Sequence, residues 1–243
     1  MMLQTHGILQ SQKEYELPTI ANALSWNFGS GHIDLGASLN KPGADAFSII
    51  WWAKLQQPTG NNGLWGNQAT SSPFSGMACW TDSNDSGNMY FEIVRTGASA
   101  LRVKFPFTVF PGDWHHYIMT YDGSKSASGV NMYLDGVELS RVVVQDNFTG
   151  TVNTFGTSKI GSTILYGNMQ NSSMDEFCSA DQHISQQEAT GVYNSGLISD
   201  MSQLGAVTGW WRADNDGGGI SPDEIGAADG TYIGTVNPSG DKP

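Results

Sequence analysis

The chain has 243 residues, enough for one sandwich-sized core with extensions, and sets 11 Lys and Arg against 23 Asp and Glu, a formal charge of −12. A field of that sign repels polyanions and sets nucleic acid aside as a direct partner, and with no run of 18 apolar residues, no membrane insertion is expected. Charged residues make up 14% of the chain, glycines number 30 and aromatics reach 11%, a balance that suits a β-rich, loop-rich protein and falls well below the ~25% charge of an average domain.

Residues 1–20 are polar with scattered apolar positions and end in Leu17-Pro18-Thr19-Ile20. They read equally as an N-terminal arm that docks on a neighbour and as a first strand or partly ordered tail. Their first ten residues have neither a basic start nor an apolar core, so no secretion signal is expected there. From Leu24 onward, short apolar or aromatic runs alternate with Gly, Asn, Ser and Pro clusters, the pattern of an all-β sandwich. Strands are predicted over Leu24 to Phe28, Phe47 to Leu55, Gly63 to Gly66, Gly76 to Thr81, Asn88 to Thr96 and Ala100 to Pro106. Further strands follow over Trp114 to Tyr121, Val130 to Leu134, Val137 to Val144 and Lys159 to Gly161. Trp114, His116, Ile118 and Thr120 share one strand face, and His115, Tyr117, Met119 and Tyr121 the other. Asp135-Gly136 lies between apolar runs and suits a two-residue type I′ turn, in which both central residues need positive φ. Only Ile184 to Tyr193 reads as a helix, with Ser185 as N-cap and Glu188 three residues on as its capping-box partner. Leu197 to Leu204 suits a brief helical turn, before Gly209-Trp210-Trp211-Arg212 and an Asp- and Gly-rich close.

The combination Trp114-His115-x-Tyr117 with Tyr121-Asp122-Gly123 and Met132-Tyr133-Leu134-Asp135-Gly136 resembles the core of laminin-G-like domains of the concanavalin A-like jelly-roll class. Leu24 to Gly29 with His32 to Gly36 resembles the opening strands of that family, and Phe47 to Lys54 its "Phe-Thr-Ile-x-x-Trp-Val-Lys" strand. Met174-Asp175-Glu176-Phe177, Ile184 to Glu188 and Val192-Tyr193-Asn194 resemble its close. The resemblance implies an antiparallel β-sandwich with one short helix and terminal extensions: an arm over 1–20, a jelly-roll domain over 21–198 and a C-terminal extension over 199–243. The extension resembles the segment that usually precedes such a domain, and is expected to pack on the sandwich or on another subunit. A laminin-G-like domain followed by a Trp-Trp-Arg tail also resembles structural proteins of marine tailed phages.

Glycosidases of this class carry two carboxylates on one strand face, commonly as Glu-x-Asp-x-Glu, because residues two apart point the same way. The chain has no such triplet, and Asp175-Glu176 are adjacent, so on a regular strand they face opposite sides. It also lacks a Gly-x-Ser-x-Gly elbow and a phosphate-cradling Gly-x-x-x-x-Gly-Lys-Ser/Thr loop. His115-His116 diverge on a strand, which argues against zinc and for one imidazole in the core and one outside. Cys79 and Cys178 are too few for a disulfide framework; free thiols are the default, and pairing is not legible from sequence.

Recognition chemistry is concentrated in three places. A sugar site needs ring stacking plus planar polar groups, and Trp65, Trp80 and Tyr90 with Asp82, Asn84 and Asp85 form the nearest grouping. The oxygen-rich loop around Asp82 and Asp85, and a second around Asp214 and Asp216, are candidate Ca²⁺ sites, although Asp and Asn capping their own backbones explain both without an ion. Trp210 and Trp211 are candidate assembly contacts. The function expected is a noncatalytic virion structural protein, as capsid decoration or fibre component, that displays a laminin-G-like and glycan-binding jelly roll and requires no cofactor. Its expected partners are other virion proteins, further copies of itself and cell-surface glycans. The alternatives are an extracellular carbohydrate-binding lectin domain of a cellular protein and, third, a glycoside hydrolase of the concanavalin A-like class.

Overall fold

The computed structural model describes residues 25–57, 60–85, 87–106, 112–196, 199–213, 219–226, 228–241 and 243. The N-terminal arm expected over residues 1–20 therefore lies outside the described residues. In chain order the strands are β1 (Ser25–Phe28), β2 (His32–Asp34), β3 (Phe47–Lys54), β4 (Asn62–Gly66), β5 (Gly76–Thr81), β6 (Asn88–Thr96) and β7 (Ser99–Pro106). Next come β8 (His115–Tyr121), β9 (Val130–Leu134), β10 (Val137–Glu138), β11 (Val142–Asp146), β12 (Lys159–Ile160), β13 (Ser162–Thr163), β14 (Gly167–Asn168) and β15 (Ser172–Ala180). Helix α1 (Gln186–Tyr193) precedes β16 (Val207–Trp211), β17 (Ile220–Ser221), β18 (Gly230–Ile233) and β19 (Val236–Ser239).

Two antiparallel sheets make the sandwich. One runs β10-β9-β8-β3-β15-β1-β19, with β16 also paired to β15; the other runs β11-β7-β6-β5-β4-β12-β2-β18-β17. Alternation fills the space between them, where Phe47, Ile49 and Trp51 of β3 meet Phe91, Val103 and Trp65 from the opposite sheet. Trp51 stacks on Tyr117 at 5.4 Å and meets Trp65 edge-on at 6.0 Å.

The alternate residues of β3 and β8 would face water in a simple sandwich, but here they are covered. Ile50, Ile118 and Cys178 form a second core with Ile184, Ala189 and Val192 of α1 and its approach, and with Met201 and Trp210. The helix is held by a capping box, Ser185 with Glu188, as its sequence predicts. Asp135 and Gly136 have φ of 50° and 74°, as the predicted type I′ turn requires. A side chain at Gly136 would meet Cα of Thr190 at 3.2 Å, so the turn also depends on glycine for its close approach to α1.

Three expectations need correction. The strand predicted over Val137 to Val144 is broken: β10 pairs with β9, whereas β11 crosses to the other sheet and pairs with β7. The guanidinium of Arg141, between the two, donates to the Val130 carbonyl. The C-terminal segment is not an accessory layer, because β16 and β19 pair within the first sheet and β17 and β18 within the second. Trp211 belongs to the inter-sheet core and Trp210 to the second core, so neither ring is free for the assembly contact expected of them. Of the helical turn expected over Leu197 to Leu204, Leu197 and Ile198 lie outside the described residues, and Met201–Gln203 forms a 3-10 turn.

Candidate functional site

On the outer face of the second sheet the described residues bring aromatic and charged side chains together. On β5, β6 and β7 one set of residues points inward, including Met77, Cys79, Phe91 and Val103. The other set is brought side by side by the strand register: Trp80 opposite Tyr90, Tyr90 opposite Lys104, and Glu92 opposite Arg102. A short hairpin, β13–β14, lies against this face where Gly63 and Gly66 of β4 present no side chain; a Cβ on Gly63 would collide with the backbone of Thr163 and Gly167. The hairpin delivers Tyr166 onto Trp80, stacked at 3.9 Å and 10°. Tyr90 stacks on the same indole at 5.0 Å and 12°. Arg102 lies 5.9 Å from the Trp80 ring centroid and Lys104 5.8 Å from that of Tyr90.

Two polar networks flank the stack. The fully buried Glu92 carboxylate accepts from Gln68 Nε2 at 2.8 Å, from Arg102 Nε at 2.7 Å and from the Tyr166 hydroxyl at 3.3 Å. Asp85 accepts from Lys104 Nζ at 2.7 Å, from Asn88 Nδ2 at 2.8 Å and from the Tyr90 hydroxyl. Lys104 and Tyr90 hold the Asp85 carboxyl below the usual carboxylate range, and Asp85 in turn raises the Lys104 ammonium. Burial, then hydrogen bonding to Asp85, pushes the Tyr90 phenol up, and burial with the Glu92 charge does the same to Tyr166. Burial opposes the charge on Arg102, but Glu92 outweighs it and the guanidinium is raised. Both tyrosines therefore stay neutral donors at physiological pH.

Of the residues nominated from sequence, Trp80, Tyr90 and Asp85 come together here, and Asp82 lies near enough for its charge to reach Tyr90 and Tyr166. Asn84 is exposed and gives its backbone N–H to Asp82 Oδ1 at 2.7 Å. Trp65 does not belong to the site: a register shift in β4 turns it inward, where it is fully buried against Trp51 and Phe91. Trp80 is only 4% exposed beneath its two tyrosines, so the reachable rims of the stack are Tyr90 and Tyr166. Glu92, Arg102, Lys104 and Gln68 escaped the sequence reading, although two-residue alternation from Tyr90 would have found Glu92; Arg102 and Lys104 are placed by the pairing of β7 with β6. Tyr166 had no local signal, because its place depends on the bare glycines of β4.

For calcium the geometry gives little support at Asp82 and Asp85, since the Asp85 oxygens are taken by Lys104, Tyr90 and Asn88 and the Asp82 oxygen closes a turn. Asp214 and Asp216 lie outside the described residues, and among the described residues no group of three or more His, Cys, Asp or Glu could hold a metal ion. Asp175 and Glu176 are both buried at a bulge, where Glu176 has φ of 51°. Glu176 accepts from Trp210 Nε1 at 2.7 Å and from Arg212 Nε at 2.9 Å, and Asp175 accepts from the Ala213 backbone at 3.2 Å. The pair thus fastens β16 to β15. Cys79 and Cys178 are free and buried in separate cores. His116 is buried and His115 is partly exposed and paired with Asp135 at 2.6 Å, the division expected of the two imidazoles.

A laminin-G family model, described as concanavalin A-like lectin/glucanases superfamily, matches residues 27–190. No curated protein matches the chain. Among solved structures, a proposed carbohydrate-binding protein from Bacteroides ovatus aligns with a TM-score of 0.61 at 17% identity over 90% of this chain. The K499G mutant of NanB sialidase from Streptococcus pneumoniae aligns with a TM-score of 0.54 at 19% identity over 70% of this chain. This chain spans 60% of the first protein and 27% of the second, and at such identities the likeness shows the shared fold.

Proposed function

We propose, starting from the fact that the chain belongs to the concanavalin A-like lectin/glucanases superfamily, that it is a noncatalytic carbohydrate-binding module whose glycan lies across the outer face of the second sheet. The observation that carries this reading is the Tyr90–Trp80–Tyr166 stack beside the Glu92–Arg102–Gln68 network. Sugar recognition combines an apolar ring face with planar polar groups that hold hydroxyls in fixed directions. Here internal stacking and hydrogen bonds hold both in place, so little ordering cost remains for binding. A glycan array followed by calorimetry tests it: Tyr90→Ala and Tyr166→Ala should each weaken the best glycan about tenfold, the order expected for one lost ring contact. An array without hits would refute the reading.

The noncatalytic part of the proposal is supported by the way the buried Glu92 carboxylate is occupied by Arg102, Gln68 and Tyr166. A glycosidase needs one carboxyl free to give a proton and a second to act as base or nucleophile. Release of new reducing ends from a bound oligosaccharide would overturn it. Binding is further proposed to need no ion, so affinity should be the same in EDTA and in millimolar Ca²⁺.

For context we place the module on a virion, as capsid decoration or fibre component and as a homo-oligomer, rather than in an extracellular lectin of a cellular protein. The low charged fraction and the resemblance of the Trp210-Trp211-Arg212 segment to marine phage structural proteins support this. Mass spectrometry of purified particles from the source decides, and its absence from every particle would remove the virion reading while leaving glycan binding intact.

A further inference from the structure

Four of the nine large hydrophobic side chains exposed among the described residues fall within residues 137–144: Val137 on β10, and Val142, Val143 and Val144 on β11. β10 and β11 are edge strands of the two sheets joined by a short connection, so one flank of the sandwich is apolar. The other outermost strands are blunted. β10 and β17 are two residues long, β19 carries Pro238, and the free side of β16 is met by the Asp223 bridge and the Glu224 N–H. β11 has five residues and no proline, and the stretch from Leu139 to Gln145 holds no carboxylate in a chain of charge −12. The charges in and around it are turned back on the protein. Glu138 accepts from Asn131 Nδ2 at 2.5 Å, Arg141 donates to the Val130 carbonyl, and Asp146 accepts from the Ala127 N–H at 2.8 Å. A bulge inserts one residue between Val143 and Gln145, which breaks the two-residue alternation and leaves Val142, Val143 and Val144 41%, 53% and 48% exposed.

We propose that two copies of this chain pair through β11, antiparallel and about a two-fold axis, so that their second sheets become one continuous sheet. A cationic partner is drawn to the carboxylates elsewhere on the molecule, and an acidic partner is repelled by them. A second copy is an acidic partner whose own β11 supplies the matching neutral edge. Pairing centred on Val143 sets each Val142 across from the other copy's Val144 and puts Asp146 across from Ser140, away from other carboxylates. The axis stands perpendicular to the sheet, so both outer faces point the same way. Five strand spacings then separate the two copies of β6, which places the Tyr90 positions about 24 Å apart across the strands on one surface. That bivalent surface rests on the reading of this face as a glycan site; the pairing itself does not.

Sedimentation velocity of the full chain over about 1 to 500 µM tests it, a range suited to the weak complexes that small interfaces form. The weight-average mass should climb towards twice the monomer, more steeply at about 0.5 M salt than at about 0.05 M, because screening relieves the repulsion between like-charged copies. Val143→Lys and Val144→Lys should each weaken association by about tenfold or more, as like charges set face to face do. Their urea midpoints should not move, since both side chains already reach water. Ile220→Lys, at an exposed position on β17, should leave association intact. A chain that stays monomeric at both salt concentrations, association that survives both valine variants, or association that high salt abolishes overturns the proposal. Where pairing holds, the native chain should bind a glycan-coated surface more tightly than Val143→Lys does, with equal affinity for a single oligosaccharide. Pairing without any glycan binding keeps the two-fold contact and removes the glycan reading; glycan binding by a strict monomer does the reverse.

Discussion

The two outer faces of the sandwich start from similar material and end in opposite states. On the first sheet Trp52 and His116 stand on neighbouring strands, their rings 5.1 Å apart, with Tyr193 at 6.0 Å from the imidazole. On the second sheet Trp80, Tyr90 and Tyr166 form the corresponding aromatic group. The first is roofed by α1 and its flanking chain, which Tyr133 and Thr120 tie down through hydrogen bonds to the carbonyl and N–H of Ile184. The second has only the small β13–β14 hairpin over part of it. The difference shows that aromatic content on a sheet does not mark a binding face; what the chain does after the sheet is complete decides whether that face becomes core or surface.

The largest test compares the two buried carboxylates. Glu176, under the roof, pairs with an Arg212 that is itself 12% exposed, while Glu92, on the open face, pairs with an Arg102 that is 33% exposed. Arg212→Ala should cost about 3–5 kcal/mol, the loss expected when a buried charge is left without its partner. Arg102→Ala should cost less, about 2 kcal/mol, because water can reach the vacated position and Gln68 and Tyr166 still donate to Glu92. Urea denaturation of both variants measures the gap, and equal losses would break the distinction between a roofed and an open face.

A pH test sharpens the same contrast. His116 is fully buried with neither ring nitrogen hydrogen-bonded, and burial lowers its pKa to about 3. Because the folded value lies below the ordinary value of about 6.5, the native state binds the proton less readily than the unfolded chain. Stability from this residue is complete above about pH 6.5 and is lost as pH falls towards 3, reaching about 2 kcal/mol at pH 5. Unfolding midpoints of the native chain and of His116→Leu at pH 7.5 and 5.0 isolate its share, since other acid-titrating groups are common to both. The variant should lose about 2 kcal/mol less between those two pH values.

The parts of this molecule that were readable in the sequence are those specified by neighbours in the chain. Asp135-Gly136 announces its turn because both positions need positive φ, and Ser185 with Glu188 announces a helix start because the two cap each other. Alternation places β5, β6 and β9 to the residue. What failed depends on distant partners. Val137 to Val144 has one continuous β pattern, yet its halves join different sheets, a choice made by β7 and β9. Trp65 and Trp80 look alike as aromatic strand residues, and a register shift separates one into the core and the other onto the site. Trp210 and Trp211 resemble a surface tail until β15 is seen to need β16 along its flank.

The smallest effect belongs to the helix cap. Ser185 accepts from the Glu188 N–H, and Glu188 Oε2 accepts from the Ser185 backbone at 2.8 Å. Hydrogen bonds to Ser185 also hold the Glu188 carboxyl below the usual carboxylate range. Ser185→Ala removes one partner of the cap and should cost about 1 kcal/mol, read as a shift in the urea midpoint. Because α1 roofs the first sheet and the proposed site lies on the second, the same variant should leave glycan affinity unchanged. A matching loss of affinity would mean that the roof and the open face are mechanically coupled through the inter-sheet core, and the contrast between them would no longer locate function on one face alone.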